Sequence, residues 1–264
     1  SIFKDNDGTY YVFGSHIEAA KTNDLQNWTR FTNGYTTPNN AEFGDLSANL
    51  AKAFAWSGEN LEDCEGGYAV WAPDVIYNPD YVNTDGTKGA YLMYFCTSST
   101  YMCSVIGFAT AQKAEGPYTF VDTLIYSGFT ENDSYATSST KNVNRKYTST
   151  NIDELIASGA VTYNSNWFRK SNYNNYLYPN AIDPTIYYDT DGKMYMCMVR
   201  GQEEFLRLKL TRQQEDVFTR KLAQHLTVEW WTAISVQKFP VGISNPEKDL
   251  LWSTIRILGT IISG

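Results

Sequence analysis

The sequence is poor in the residues that most metal and nucleophile chemistry draws on. Only two histidines, His16 and His225, occur in 264 residues, so a multi-histidine metal site or a histidine-based triad has little to work with. The four cysteines, Cys64, Cys96, Cys103 and Cys197, show neither zinc-site nor CxxC spacing; they read as buried free thiols and leave the redox compartment open. No apolar stretch approaches the roughly 18–20 residues of a transmembrane helix. Lys and Arg form no run, and the net charge is −8, which makes nucleic acid and anionic membranes poor partners. Neither a signal peptide nor an initiator Met opens the chain, so Ser1 reads as the cut end of something longer.

What is present is aromatic and strand-like. An apolar content of 42% over 264 residues is enough to bury one large domain or two small ones. Asp-Gly turns repeatedly lead into aromatic strands: Asp7-Gly8 before Tyr10–Phe13, Asp85-Gly86 before Tyr91–Phe95, and Asp191-Gly192 before Met194–Met196. Asp-Gly supplies the positive φ angles of a tight hairpin, while Tyr, Phe and Val suit a pleated, half-buried surface. The first two strands each lead on to a second hairpin, Ala19–Thr22 to Trp28 and Ile106–Thr110 to Tyr118. Two hairpins make a four-stranded unit, and recurrence of that unit points to radial blades around a channel.

Helical periodicity before residue 197 is confined to Ile152–Ser158, and the Ser-, Thr-, Asn- and Tyr-rich stretch 127–178 reads as a long loop insertion at a blade edge. The aspartate-rich turns are hairpin turns rather than calcium loops, because the twelfth position of a loop beginning at Asp5 is His16 and of one beginning at Asp189 is Arg200, not a carboxylate.

One segment bears on chemistry. Asn180-Ala181-Ile182-Asp183-Pro184 places a carboxylate where an apolar strand begins, pinned by a proline. Alone, Ile-Asp-Pro reads as a turn or cap aspartate. A rigidly held carboxylate at a strand mouth is also what acid–base catalysis requires.

Taken with Trp71-Ala72-Pro73-Asp74-Val75 and the repeat, this segment resembles glycoside hydrolase family 43, and most of all its endo-1,5-α-L-arabinanases. Tyr10–His16 followed by Ala20–Trp28 is similar to that family's first blade, and Ile106–Thr110 with Glu115–Tyr118 to its second. The similarity runs over about residues 1–197. It implies an all-β, five-bladed β-propeller of which about two and a half blades are recognisable. The implied activity is inverting hydrolysis of α-1,5-linked arabinan or arabino-oligosaccharides. One Asp acts as base on a water, one Glu protonates the leaving oxygen, and a second Asp raises the pKa of that Glu. Acid and base then stand roughly 6.5–9.5 Å apart with the water between them.

Asp183 matches the pKa-modulating position. Asn180, Ile182 and Gly107 match positions lining the sugar site, and Trp71 and Phe13 offer apolar walls to a furanose ring. His16 matches a position near the pocket and central channel. A Trp before Ala-Pro is also a common core residue, and a lone His is often a structural hydrogen-bonding group. Asp74 is expected to brace the backbone, and Glu115 to belong to the second-blade turn rather than to catalysis. No cofactor is required, although the family allows calcium or another ion in the central channel. Secretion or a periplasmic location is expected, since polymeric arabinan cannot enter a cell intact. The same scaffold serves β-xylosidases and α-L-arabinofuranosidases. From a different class, a carbohydrate-binding propeller without catalysis, its tyrosines stacking on sugars, fits the composition as well.

The chain departs from the family pattern at both ends. The base belongs to a D-P-S-I motif whose Asp and Pro would fall immediately before Ser1. Beyond Cys197 the composition changes: all 20 tyrosines lie in residues 1–197, and 12 basic against 22 acidic residues become nine against seven in 198–264. Codons exist for Met198–Phe205 that, read one base earlier, spell the family-like Y-G-S-W-S-G-G-I. The same shifted frame can give S-G-E-G-P around Asn245–Asp249. The expectation is a frameshift between Cys197 and Met198, with residues 198–264 the altered remainder of the propeller. The family's acid would then straddle the codons of Glu247 and Lys248, neither of which is itself the acid. On this reading the 264-residue chain is inactive and, as an unclosed propeller with uncovered edges, prone to aggregate. The alternative is a genuine helical segment over Glu203–Leu222, which is rich in helix formers.

Overall fold

The structure, a computed structural model, describes residues 1–36, 38–58, 69–98, 103–135, 143–150, 152–159, 161–188, 190, 192–200 and 204–210. Its first sheet runs β1 (Ile2–Lys4), β2 (Tyr10–Gly14), β3 (Glu18–Thr22) and β4 (Thr29–Arg30), antiparallel and in chain order. The first hairpin closes as the Asp-Gly signal requires. Gly8 takes φ 90° and the Asp7 carboxylate accepts the Thr9 N–H at 2.8 Å. Asp24 organises the turn between β3 and β4 by accepting the N–H groups of Gln26 and Asn27 at 2.9 and 2.8 Å.

Two short helices follow, α1 (Leu46–Asn49) and α2 (Ala51–Ser57), which the sequence pattern does not announce. Each is too short for a 3.6-residue period to stand out. They hold together through the Asp45 side chain, which accepts the Ala48 N–H at 3.1 Å, and through burial of Ala53, Phe54 and Trp56. The Trp56 indole N–H reaches the carbonyls of Ser104 and Ser127 at 3.2 and 3.3 Å, fastening α2 to the second sheet.

That second sheet contains β5 (Val70–Val82), β6 (Lys88–Ser98), β7 (Ser104–Ala111) and β8 (Thr119–Ser127), again in chain order. Stretch 127–178 is more than a polar loop. It carries α3 (Ile152–Ala157), where the sequence places it, and a hairpin of β9 (Phe168–Arg169) and β10 (Asn172–Tyr173). Phe129, Leu155, Trp167 and Tyr173 are buried, so this insertion has apolar packing of its own.

The third sheet is β11 (Thr185–Tyr188), β12 (Met194–Arg200) and β13 (Glu204–Leu210). β12 runs without a break through the Cys197–Met198 junction, and Met198 is buried. Residues 204–210 form a strand rather than the start of a helix, paired along the whole of β12 from Met194↔Leu210 to Arg200↔Glu204. In sequence, Leu206, Leu208 and Leu210 alternate with Arg207 and Lys209, a period of two that a ladder partner rewards over helix propensity. The rest of the helical alternative, 211–222, lies outside the described residues, as do His225, Glu247 and Lys248.

Two complete four-stranded units and one three-stranded unit thus stand in series. β5 packs against β1 and β2 on one side and β11 on the other, which makes β1, β5 and β11 the neighbouring strands of successive units. Cys96 and Cys103 are buried free thiols and Cys197 a half-buried one; Cys64 lies outside the described residues.

Candidate active site

The openings of β5 and β11 meet at one place. Trp71 pairs with Cys96 of β6, and the Cys96 thiol donates to the Trp71 carbonyl at 3.5 Å. Asp183 lies two residues ahead of β11. Burial, the largest influence, drives the Cys96 thiol pKa up to about 12, so it stays protonated at neutral pH and serves as a donor.

Asp183 has φ 53°, in the left-handed region. That region disfavours a residue with a Cβ, and a following proline restricts it further. Strain of this kind persists only where the surroundings impose it. Here they do so from both sides. Before Asp183, the Ser127 hydroxyl donates to Asn180 Oδ1 at 2.7 Å and accepts the Ala181 N–H at 2.9 Å. After it, the Asp74 carboxylate accepts the Ile186 N–H at 2.7 Å. Asp183 is exposed as a residue, yet desolvation of its carboxyl pushes its pKa above the ordinary aspartate value. Among the described residues no cation forms an ion pair with it.

Trp71 is partly buried, and its indole N–H has no hydrogen-bond acceptor among the described residues. His16 stacks on it with ring centroids 6.4 Å apart and 28° between planes, and meets Tyr35 edge-on at 5.9 Å. The His16 N–H donates to the Val70 carbonyl at 2.9 Å, and Ser15 Oγ accepts the Ala72 N–H at 3.2 Å, so the β2–β3 turn is tied to the mouth of β5. Ile182 is partly buried against the core.

Asp183, Trp71 and His16 therefore share one region, with Asn180 and Ile182 on the segment that carries Asp183. Phe13 and Gly107 are placed elsewhere. Phe13 is 1% exposed and packed between Tyr11 and Phe31, a core ring with no free face for a sugar. Gly107 sits mid-strand in β7, where an added Cβ would lie 3.0 Å from Phe120 Cε2 and 3.1 Å from the Asp122 carbonyl. Its lack of a side chain is required by packing within the sheet.

Two further carboxylates are structural. Asp74 braces the backbone, as its motif suggests. Glu115 accepts from Lys21 Nζ at 2.7 Å and from the Tyr11 hydroxyl at 3.2 Å, tying the first sheet to the turn of the second. Partial burial works against its ionisation, but these donors prevail and its pKa is lowered. The residue that sequence reasoning did not single out is Ser127, which lies in no motif and acquires its role only once β8 is laid beside the Asp183 segment.

No protein-family model matches the chain. It is 27% identical over 188 residues to an extracellular endo-α-(1→5)-L-arabinanase of Thermotoga petrophila, covering 71% of this chain and 30% of the relative. Identity is also 27% over 198 residues to extracellular endo-α-(1→5)-L-arabinanase 2 of Bacillus subtilis, covering 74% and 31%. Among solved structures, a family-43 glycoside hydrolase of Bacillus licheniformis superposes with a TM-score of 0.51 at 25% identity, over 80% of this chain and 36% of that one. The chain's curated homologues are endo-arabinanases, and its fold is that of family-43 propellers. It spans about a third of the length of those relatives, so its three sheets are an unclosed part of such a ring.

Proposed function

We propose that this chain is part of an inverting glycoside hydrolase that cuts α-1,5-linked L-arabinan, with Asp183 as the carboxylate that tunes the general acid. The supporting observation is an aspartate held at φ 53° at the mouth of β11, in a chain whose curated relatives are endo-arabinanases. An ionised Asp183 disfavours ionisation of a neighbouring carboxylic acid and keeps that acid protonated near neutral pH. Trp71 and His16, stacked on one another, wall the ring-binding side. Asn180 and Ile182 fix the segment that carries Asp183. In this reading the acid belongs to the shifted frame beyond Cys197, so the 264-residue chain itself does not turn over. Secretion belongs to the same proposal and is supported by the extracellular designation of both relatives.

The family resemblance also allows an ion in the central channel. Among the described residues no three His, Cys, Asp or Glu side chains gather as a metal site, and His16 alone does not make one, so no step is assigned to a metal.

The test is to restore the reading frame after Cys197, with Asp-Pro supplied ahead of Ser1, then assay debranched arabinan. Oligosaccharide products with inverted anomeric configuration are expected, and Asp183→Asn should lower turnover by about 10²–10⁴-fold. Release of monomers alone from aryl glycosides would instead indicate a xylosidase or arabinofuranosidase. Retention on an arabinan gel without cleavage would indicate a binding propeller. Turnover by the chain with its tail unaltered would overturn the placing of the acid in the shifted frame.

A further inference from the structure

We propose that Ser127 is a positioning residue of the candidate site: its hydroxyl fixes the backbone that enters Asp183 and turns the Asn180 carboxamide so that its NH2 is offered to the sugar. The inference rests on the reading of Asp183 given above, but its geometry stands on hydrogen bonds of its own. Ser127 ends β8, is fully buried, and pairs with Ser104 of β7. Its carbonyl also accepts the Trp56 indole N–H at 3.3 Å, so both its sheet and α2 hold it in place. A group fixed in this way can impose its geometry on a segment laid against it.

The segment is tied residue by residue. The Tyr173 hydroxyl donates to the Pro179 carbonyl at 2.6 Å, and the Asn180 carbonyl accepts the Ile182 N–H at 3.0 Å in a three-residue turn. Between them Ser127 joins residues 180 and 181 to the sheet, accepting the Ala181 N–H at 2.9 Å and donating to Asn180 Oδ1 at 2.7 Å. The turn passes that constraint on to Ile182, the neighbour of Asp183. The donated hydrogen has a second effect. An amide oxygen can take it and an amide nitrogen cannot, so Asn180 presents its oxygen to β8. Its NH2 then points away from β8, and among the described residues no acceptor engages it. Asn180 is partly buried and three residues before Asp183; in this orientation it is a donor suited to a pentose hydroxyl or ring oxygen.

Amide hydrogen exchange on the 264-residue chain and kinetics on the frame-restored protein test this together. Ser127→Ala should speed exchange at Ala181 roughly tenfold or more and leave Ile186, held by Asp74, unchanged. An unaltered Ala181, or both amides speeding up together, would overturn the proposal. In the frame-restored protein, Asn180→Ala should raise KM for arabino-oligosaccharides about tenfold. Ser127→Ala should raise KM to a similar extent and lower kcat as well. Added to Asn180→Ala, it should lower kcat again but leave KM where it is, since the donor it orients is already gone. A further rise of KM in the double variant would overturn the orienting role. The Asp183→Asn assay decides independently whether Asp183 tunes an acid. An inactive frame-restored parent would sink that reading, while exchange at Ala181 still decides whether Ser127 fixes the segment.

Discussion

Asp74 Oδ2 accepts the Ile186 main-chain N–H at 2.7 Å, joining the facing strands of the second and third sheets across 112 positions of sequence. The carboxyl is buried, and burial, the largest influence, raises its pKa while the Ile186 N–H works the other way. Asp74→Ala would leave that N–H buried without an acceptor, a loss of about 1–3 kcal/mol. Asp74→Asn keeps an acceptor and should lose less. Urea denaturation of the two variants checks the order; equal losses would show that the hydrogen bond contributes little.

Asp183 should trade stability for position. Replacing it with Gly removes the Cβ from a left-handed residue, and Asp183→Gly is expected to raise stability by about 1 kcal/mol. The same variant in the frame-restored protein should lose arabinan hydrolysis. A destabilised glycine variant would mean that the backbone there is not strained.

Gly107 reports on packing. A methyl group added there meets the main-chain carbonyl of Asp122 at 3.1 Å and the Phe120 ring at 3.0 Å, so both neighbours must shift by a few tenths of an ångström. Gly107→Ala should therefore cost about 1–3 kcal/mol, visible as a lower thermal midpoint. An unchanged midpoint together with weakened sugar binding would return Gly107 to the sugar site.

Glu42 is 3% exposed, and burial first, then the neighbouring Glu18 charge, raise its pKa to about 8. Glu18 is itself paired with Arg30. A carboxyl whose folded pKa lies above its unfolded value binds its proton more tightly when folded. Its contribution is complete below the unfolded value of about 4.3 and is lost as pH rises through about 8. Stability should fall over that window in the parent, and Glu42→Gln should remove this part of the fall. Parallel pH profiles for parent and variant would show that Glu42 does not titrate in this range.

The parts legible in the sequence were those written in local chemistry. Asp7-Gly8 and Asp85-Gly86 marked hairpins because positive φ is a property of the turn residues themselves, and Gly8 and Gly86 adopt it. Ile152–Ala157 was legible as a helix for the same reason. Helices α1 and α2 were not, since a few residues carry no period and their stability comes from Trp56 reaching the second sheet. The helix formers after residue 203, the basis of the helical alternative, are overruled over 204–210 for the complementary reason: β12 offers those residues a full ladder, and tertiary pairing outweighs propensity.

At the site, Asp183, Trp71 and His16 were named by motif, and the structure gathers them. Phe13 matched by motif as well, but its position on β2 turns it into the core. Ser127 left no trace, because what it contacts is distant in sequence.

Asp74 and Ser127, which fix the Asp183 segment at its two ends, both come from the second sheet, and both precede Asp183 in the chain. A ribosome extends a chain from its N-terminus, so the template for Asp183 is complete before Asp183 is synthesised. The left-handed turn can be imprinted as soon as the segment leaves the ribosome, without waiting for later blades to close a ring. Arrest of translation at a point where residue 188 has cleared the ribosome would then yield a nascent chain that already holds the aspartate in its working conformation.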